Sequence, residues 1–314
     1  LKGLNRYMNY RVEVKDKAGN RAYSDMVTTL SLNQITLTSA DPAFFGNKVK
    51  RLLTVKGTGF TSDMVAYIGD QKCVKTTYVA PDEILCHTPE VAADWHSMSV
   101  RRDGEEVGQS EFYVEARSCD GSTDCHHCDY PQHNGDMASG DGSNAKPFKV
   151  CHFGQLYYEF SGHGRRGDKP AVIELASHID LTDWSDADKA DEYPKRHFLS
   201  LSDVKNFRGL SVEGQPKHWL YGSAPTYRMF ENVYGKSSRL GWRGSQAKNL
   251  AAGNQTGMLG SICHPESEIH SFHLRDSHLE SVTKDTGLVC GHSQGQLQHI
   301  TLKDFSVTCV DDCT

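Results

Sequence analysis

Apolar and polar residues alternate in short runs along most of the chain, and turn-forming residues separate the runs about every 8 to 12 positions. A two-residue period is typical of half-buried β-strands, whose successive side chains point to opposite faces of a sheet. No apolar run approaches the length that a membrane-spanning helix needs. The pattern therefore predicts an all-β protein without a membrane span in this chain.

Residues 1–32 contain two such runs, with Gly19 and Asn20 in the turn between them. This arrangement predicts a β-hairpin. An isolated hairpin is marginally stable in water, and its unpaired edges bind other strands. We expect the hairpin to pack on the next module or to complete a sheet in a neighbouring molecule by strand addition. The residues expected to take part in such assembly are Tyr10, Val12, Val14, Met26 and Val27.

The stretch from Tyr10 to Ser24 resembles the last two strands of a fibronectin type III domain whose first five strands are missing. Truncation within an ordinary domain is the alternative explanation for these two strands. The chain opens on Leu1, and no signal peptide is visible, so we expect a processed protein or part of a longer product.

Residues 33–117 contain the motif Gly57-Thr-Gly59-Phe60 between two apolar runs, followed by Cys73 and Cys86. The two glycines are expected to flank a tight turn that larger side chains would strain, and the phenylalanine to fill the core. In the order of its motifs the segment resembles an IPT/TIG domain, the immunoglobulin-like module of plexins and many large surface proteins. The resemblance implies a β-sandwich, and the family commonly has a disulfide like the one that Cys73 and Cys86 would form.

The chain has ten cysteines, and their number indicates whether the protein resides in an oxidising or a reducing compartment. An even number in a turn-rich chain favours disulfides and an oxidising environment. The motif Cys125-His-His-Cys128 leaves zinc as an alternative, although structural zinc sites usually have two similar ligand pairs. Residues 118–146 are interpreted as a Cys-rich linker, and the four cysteines from position 119 to 151 allow three pairings. The ten are Cys73, Cys86, Cys119, Cys125, Cys128, Cys151, Cys263, Cys290, Cys309 and Cys313.

Residues 147–314 repeat a weak Leu-x-Asp pattern at a spacing of 28 residues, from Leu274 to Leu302, and its beginning from Leu201 to Met229. Such a period is typical of a solenoid, whose rungs bury their apolar sides only by stacking. The Gly-Asp-Gly-rich lead-in before this segment resembles that of many parallel β-helix proteins. The segment is therefore predicted to be a right-handed parallel β-helix, with a second β-sandwich as the alternative.

Three further features of this C-terminal segment concern covalent chemistry. Cys263 and Cys290 lie about one repeat apart, so a bridge between adjacent rungs is expected. Cys309 and Cys313 are close enough to bridge a turn and to protect the strand edges of a last rung. Asn254 begins an Asn-Gln-Thr sequon in a turn-like setting and is the expected glycosylation site.

The net charge and the positions of the carboxylates argue for or against three other functions: nucleic-acid binding, metal binding and catalysis. A net charge of −6 argues against nucleic-acid binding, which needs clustered Lys and Arg. An acidic run around Trp184 is interpreted as a surface loop, and calcium is the one cofactor that it leaves open. Carboxylates in the order that β-helix glycosidases use are missing, so an enzyme is not expected, with a polysaccharide lyase or hydrolase as the alternative. The run includes Asp180 and Glu192, and its calcium candidates are Asp183, Asp186, Asp188 and Asp191.

The order of modules resembles large extracellular proteins, including fibrocystin-type receptors and the mastigoneme-like proteins that form filaments on eukaryotic flagella. The expected function is a structural subunit of an extracellular filament or coat on the cell surface, with the flagellar surface as one setting. Its expected partners are copies of itself joined head to tail, since such contacts build open fibres. An adhesion or receptor ectodomain is the alternative, and glycans are a second class of partner.

Overall fold

The computed structural model describes residues 9–10, 13–15, 21–23, 27–28, 35–121, 124–133, 135, 137–160, 171–181, 199–201, 205–222, 230–244, 246–249, 256–257, 260–281, 286–287 and 289–309. Most of the regular structure in these ranges is β-strand. One α-helix lies within them, α1 (Phe153–Phe160). Two single-turn 3₁₀ helices, His127–Asp129 and Pro131–His133, interrupt the Cys-rich segment. The predicted all-β class is confirmed at this level.

Four short strands lie near the N-terminus: β1 (Asn9–Tyr10), β2 (Glu13–Lys15), β3 (Arg21–Tyr23) and β4 (Val27–Thr28). β2 pairs antiparallel with β3, and β1 with β4, in agreement with the predicted hairpin. Tyr10 lies opposite Val27, and Val14 opposite Ala22. Val12 and Met26 lie outside the described residues. Neither ladder pairs with another strand in the described part of the chain.

The following strands form two facing sheets of antiparallel strands. One has the order β10-β11-β7-β5, and the other the order β6-β13-β12-β8-β9, in which β6 alone is parallel to its neighbour β13. The bounds are β5 (Thr36–Asp41), β6 (Phe44–Gly46), β7 (Leu52–Thr58), β8 (Val65–Ile68), β9 (Gln71–Lys72), β10 (Lys75–Ala80), β11 (Glu83–His87), β12 (Asp94–Arg102) and β13 (Glu105–Arg117).

A single apolar core fills the space between these two sheets, as alternation along the strands requires. Its largest side chains belong to Phe45, Phe60 and Ile68, each almost wholly buried. The buried Cys73–Cys86 disulfide joins this core, with a Cα–Cα distance of 5.5 Å. This bridge agrees with what the resemblance implied.

Gly57 serves a different purpose from the one predicted. Gly59 has a φ of +75°, so it forms the turn, but Gly57 lies within β7. A Cβ at Gly57 would lie 2.6 Å from the Phe60 ring and closer still to the carbonyl oxygen of Thr36. The second glycine of the motif therefore supplies backbone freedom, and the first supplies space for Phe60.

The remaining strands pair almost entirely in parallel. The exception among the described strands is the short antiparallel β19–β20 pair. The bounds are β14 (Phe148–Val150), β15 (Ala171–Leu175), β16 (Ile179–Asp180), β17 (Leu199–Leu201), β18 (Lys205–Arg208), β19 (Ser211–Val212), β20 (Gln215–Pro216), β21 (Trp219–Tyr221), β22 (Phe230–Val233), β23 (Lys236–Arg243), β24 (Gln246–Asn249), β25 (Thr256–Gly257), β26 (Gly260–Cys263), β27 (Glu268–Ser281), β28 (Thr286–Gly287), β29 (Cys290–Ser293), β30 (Gln296–Gln298) and β31 (Thr301–Cys309).

We name this parallel region, residues 148–309, the strand stack. Within it, β14, β15, β18, β23, β27 and β31 follow one another, and β17, β22, β26 and β29 form a second sheet. Leu274 lies opposite Leu302, as the predicted 28-residue repeat requires. The repeat from Leu201 to Met229 is wrong, because Leu201 pairs with Val233 after a register shift. Met229 lies outside the described residues.

The two ends of the strand stack differ. Helix α1 packs Leu156 and Phe160 into the core near its first strands, and the Phe160 ring meets that of Phe207 edge-on at 5.2 Å. Trp242, Leu274 and Leu302 lie opposite one another on the neighbouring strands β23, β27 and β31. Trp242 and Leu274 are buried, whereas Leu302, on the last strand, is partly exposed. The first strands are thus covered by α1, whereas on β31 Leu302 is only partly buried and Phe305 and Val307 are exposed.

We expect Gly57→Ala to lower the free energy of unfolding by about 1–3 kcal/mol, because the added methyl group must displace Phe60 or the Thr36 backbone. Urea unfolding followed by circular dichroism measures the change. Gly135→Ala is the control, since open space surrounds that position. Equal stabilities of the two variants would contradict this packing role for Gly57.

Candidate functional site

Buried charged and apolar side chains form a junction between the β10-β11-β7-β5 sheet and the strand stack. Its centre is Asp180, at the end of β16. Asp180 Oδ2 accepts hydrogen bonds from Lys75 Nζ at 3.1 Å, Thr77 Oγ1 at 3.0 Å and His87 Nε2 at 3.0 Å. The carboxylate is buried, so its charge is compensated by these donors in place of water.

Asp180 belongs to the acidic run that was interpreted as a surface loop, and for this residue the interpretation is wrong. It is buried because its strand β16 pairs with β21, which directs the carboxylate toward the neighbouring sheet. The calcium candidates Asp183, Asp186, Asp188 and Asp191 lie outside the described residues.

A second buried ion pair joins the Cys-rich segment to the sandwich. Arg51 Nε lies 2.8 Å from Asp129 Oδ1, and an Arg51 guanidinium nitrogen donates to Ser177 Oγ at 2.6 Å. The Gly46 amide also donates to Asp129 Oδ1. Burial raises the pKa of Asp129 and lowers that of Arg51, although the attraction between them acts in the opposite direction. Arg51 thus links the sandwich, the Cys-rich segment and the strand stack.

A chain of charges forms the third part of the junction. Glu83 is buried and accepts from both Lys56 and Arg243, and Arg243 also binds Asp276. Burial and the positive charge of Arg243 lower the pKa of Lys56 to about 8. Because Arg243 lies on β23 and Glu83 on β11, this network ties the central strands of the two regions together.

An apolar patch accompanies the charges. Leu52, Leu85 and Tyr221 are buried together, and Trp219 packs beside them. Trp219 lies across Gly241, where a Cβ would come within 2.5 Å of the indole ring. Burial raises the pKa of Tyr221 to about 12, and its hydroxyl lies 3.4 Å from Thr54 Oγ1. The junction therefore combines apolar packing with buried charge pairs.

Histidines line one side of this junction. The Trp219 amide donates to His178 Nδ1 at 3.0 Å, so a neutral His178 has its proton on Nε2 and donates to Asp41. That hydrogen bond is the main cause of the lowered pKa of Asp41. The His218 ring meets that of His178 edge-on at 5.5 Å, and burial lowers the pKa of His218 to about 2. The His218 ring therefore stays neutral at physiological pH and acts as a packing group.

A cleft of about 260 Å³ remains between the two regions. Three of the cations that line it are engaged with protein groups: Lys56 and Arg243 with Glu83, and Arg275 with Gln215. Among the described residues, no three His, Cys, Asp or Glu side chains come together as metal ligands. The arrangement connects the β10-β11-β7-β5 sheet to the strand stack.

The last strand, β31, is the second candidate site. It pairs with β27 on one side, and no described strand pairs with its other side. Phe305 and Val307 are 38% and 49% exposed, although Leu279, the residue opposite Val307, is fully buried. β31 therefore presents an edge of nine residues with apolar side chains to solvent.

Four disulfides join eight of the described cysteines: Cys73–Cys86, Cys119–Cys125, Cys128–Cys151 and Cys263–Cys290. They resolve the open pairing of the Cys-rich segment. Because Cys125 and Cys128 are both in disulfides, neither provides a thiolate ligand for zinc. Cys263–Cys290 bridges the adjacent strands β26 and β29, as predicted. Cys313 and Asn254 lie outside the described residues, so the bridge to Cys309 and the glycan stay predictions.

Sequence reasoning missed most of the junction. Arg51, Asp129 and Glu83 carry no local motif, and their partners lie far away in the chain. One usable signal was present, because charged residues within otherwise apolar strands, such as Glu83 in β11, are seldom buried without a partner. That signal indicates burial but does not identify the partner.

Comparison with known proteins identifies one part of the chain. Residues 36–114 match the IPT/TIG domain family, which confirms the predicted resemblance for this segment. No curated protein matches the chain at a significant level. None of the described helices has the length and apolarity that a membrane crossing requires.

Two solved structures show local likeness. An auxiliary nutrient binding protein from Bacteroides thetaiotaomicron is 17% identical over 27% of this chain and 21% of its own, with a TM-score of 0.23. SGBP-B from a complex xyloglucan utilization locus in Bacteroides uniformis is 15% identical over 37% of this chain and 30% of its own, with a TM-score of 0.24. The chain thus spans less than a third of either protein, and scores this low support no functional statement. Residues 36–114 form an IPT/TIG domain.

Removing the central carboxylate should weaken the junction. We expect Asp180→Ala to lower the free energy of unfolding by about 3 kcal/mol, because Lys75 and His87 lose their buried partner. Urea denaturation measures the loss. Asp70→Ala, at an exposed aspartate, is the control and should change stability by less than about 0.5 kcal/mol. A similar effect of both substitutions would contradict the assigned role of Asp180.

Acid should destabilise the protein through His218. Its pKa is lowered from 6.5 to about 2, so below pH 6.5 the unfolded chain binds a proton that the folded ring does not. The free energy of unfolding should therefore fall as the pH drops, by about 1.4 kcal/mol per pH unit for this group.

His218→Leu should remove the contribution of this one proton to the slope of the free energy of unfolding against pH. It should also be well tolerated at neutral pH, since neither ring nitrogen has a hydrogen-bond partner among the described residues. Urea unfolding at pH 7 and pH 5 measures both effects, and the exposed His292 provides the control substitution His292→Leu. An unchanged slope in His218→Leu would contradict the burial of a neutral ring.

Proposed function

We propose that the protein is a rigid structural module of an extracellular assembly, and that its strand stack is a right-handed parallel β-helix. Support for the β-helix comes from the parallel ladders and from the stacking of Trp242, Leu274 and Leu302 at one position of successive strands. Each such rung buries its apolar side against the next one. Support for an extracellular location comes from the four disulfides, which form and persist in oxidising compartments.

The observation that carries a structural role is the junction. Linkers between domains are commonly exposed and polar, which makes relative motion the default. Here two buried ionic contacts, centred on Asp180 and Glu83, join the IPT/TIG domain to the strand stack. Arg51 adds an ion pair with Asp129 of the Cys-rich segment and a hydrogen bond to Ser177 of the strand stack. A chain built this way transmits force and orientation from one end to the other, which suits a filament, a coat or a stalk.

We further propose that copies assemble head to tail, with the N-terminal strands of one copy covering β31 of the next. Two observations support this arrangement. The ladders of β1–β4 pair with no other described strand, and β31 has an unpaired edge with exposed Phe305 and Val307. Strand addition would satisfy the free backbone groups of both partners. The resulting contact is heterologous, so it would build an open fibre unless its rotation closes.

A monomeric adhesion or receptor ectodomain is the second candidate. The same junction would serve as a stiff stalk, and β31 would then be covered by something other than a second copy. We propose a non-catalytic role in either case, because the junction cations Lys56 and Arg243 are engaged with Glu83. Light scattering of the purified chain separates the two candidates, since one predicts concentration-dependent growth and the other a monomer.

Assembly should require residues 1–32. We expect their deletion to leave a folded monomer that no longer forms fibres, as measured by sedimentation and negative-stain electron microscopy. The circular dichroism spectrum should stay β-type, because β5–β31 are retained. Long fibres of the deleted protein would show that strand donation is wrong.

A charge on the receiving edge should have the same effect. Val307→Lys should prevent assembly, because a lysine on an exposed edge strand opposes pairing with another strand. Val74→Lys is the matched control, since Val74 is 54% exposed on the IPT/TIG domain and belongs to no unpaired edge strand. Normal fibres in Val307→Lys, or their loss in Val74→Lys, would contradict the proposed contact.

A further inference from the structure

Two large aromatic side chains lie exposed on one face of the IPT/TIG domain. Trp95 on β12 and Tyr113 on β13 are 59% and 58% exposed. Trp95 lies opposite Glu115, and Ser97 lies opposite Tyr113. Residues opposite each other share a face, so Trp95 and Tyr113 are diagonal neighbours, about 7–8 Å apart. Together they form an aromatic platform on the outer side of the sheet, since Val114 between them in the register points into the core.

An open cleft of about 560 Å³ adjoins Trp95. This volume lies in the range of small-molecule binding sites. Its walls carry hydrogen-bonding groups from two strands and from the segment that follows β13. The polar residues and the aromatic residue that line it are Asp94, Trp95, Glu115, Arg117, Ser118 and Asp124.

Contacts within the protein restrain several of these groups. Asp94 Oδ1 accepts from the Trp95 amide at 2.8 Å, and Arg117 donates to Glu115 at 2.6 Å. The Cys119–Cys125 disulfide closes a short loop and so holds Ser118 and Asp124, the residues just before each cysteine, near each other. Rigid elements and a covalent staple keep the entropic cost of binding low.

We propose that this cleft and the adjoining aromatic platform, Trp95 with Tyr113, bind a neutral glycan chain. The faces of sugar rings carry C–H groups that stack on indole and phenol rings, and sugar hydroxyls donate to carboxylates. Three carboxylates, those of Asp94, Glu115 and Asp124, and one guanidinium line the cleft, and that guanidinium, of Arg117, is paired with Glu115. The excess negative charge disfavours anionic polysaccharides.

The glycan site does not depend on filament assembly. The platform lies on β12 and β13, whereas the junction contacts described above come from β5, β6, β7, β10 and β11 and from Arg51. A copy within a fibre or a monomeric ectodomain would present the same surface. The site would give either form a means of attachment to a polysaccharide matrix.

Affinity gel electrophoresis of the full chain tests the proposal. The probes are hydroxyethylcellulose, galactomannan and xylan as neutral polysaccharides, and alginate as the anionic comparison. We expect retardation by at least one neutral polysaccharide and none by alginate. Retardation by no neutral polysaccharide, or by alginate alone, would overturn the proposal.

Substitutions then assign the binding to the platform. Trp95→Ala and Tyr113→Ala should each weaken the affinity about tenfold or more, because truncating an aromatic anchor removes much of the binding energy. Tyr78→Ala is the matched control, an exposed aromatic on β10 of the opposite sheet, and should bind as the unsubstituted chain does. Unaltered binding of Trp95→Ala would show that the glycan lies elsewhere. Equal melting temperatures of all three variants would exclude misfolding as the cause of a loss.

Discussion

The burial of Asp180 against the IPT/TIG domain is the interaction on which the rest of the molecule depends. A carboxylate removed from water is costly unless donors replace its hydration. Lys75, Thr77 and His87 supply those donors from two adjacent strands, β10 and β11, and only when the two regions are correctly aligned. The need to compensate this charge therefore selects one orientation of the domain on the strand stack.

The other junction contacts strengthen the same orientation. Arg51 reaches Asp129 and Ser177, and Glu83 reaches Arg243, so each region contributes both signs of charge. Leu52, Leu85 and Tyr221 add apolar packing between the two regions. Because most of the charges are buried and paired, loss of one partner is more costly than the loss of an exposed salt bridge. These contacts are the physical basis for the proposal that the two β regions are held rigidly.

Much of the local structure was accessible from the sequence because it depends on neighbouring residues. Strand alternation, the Gly59 turn, and the spacing of Leu274 and Leu302 each follow from short-range geometry. The junction was not accessible, since Asp180 and His87 lie 93 residues apart and no periodicity links them. The pairing of Cys119 with Cys125 was likewise open, because several pairings satisfy the same spacing. The exposed pair Trp95 and Tyr113 emerges only when the register of β12 and β13 is known.

Residual dipolar couplings of the amides in weakly aligned, deuterated protein test the rigid junction most directly. A rigid junction predicts that one alignment tensor fits the amides of the IPT/TIG domain, residues 36–114, together with those of the strand stack. Two tensors of different magnitude or orientation would show that the regions reorient independently. That result would contradict the central role of the buried Asp180 carboxylate.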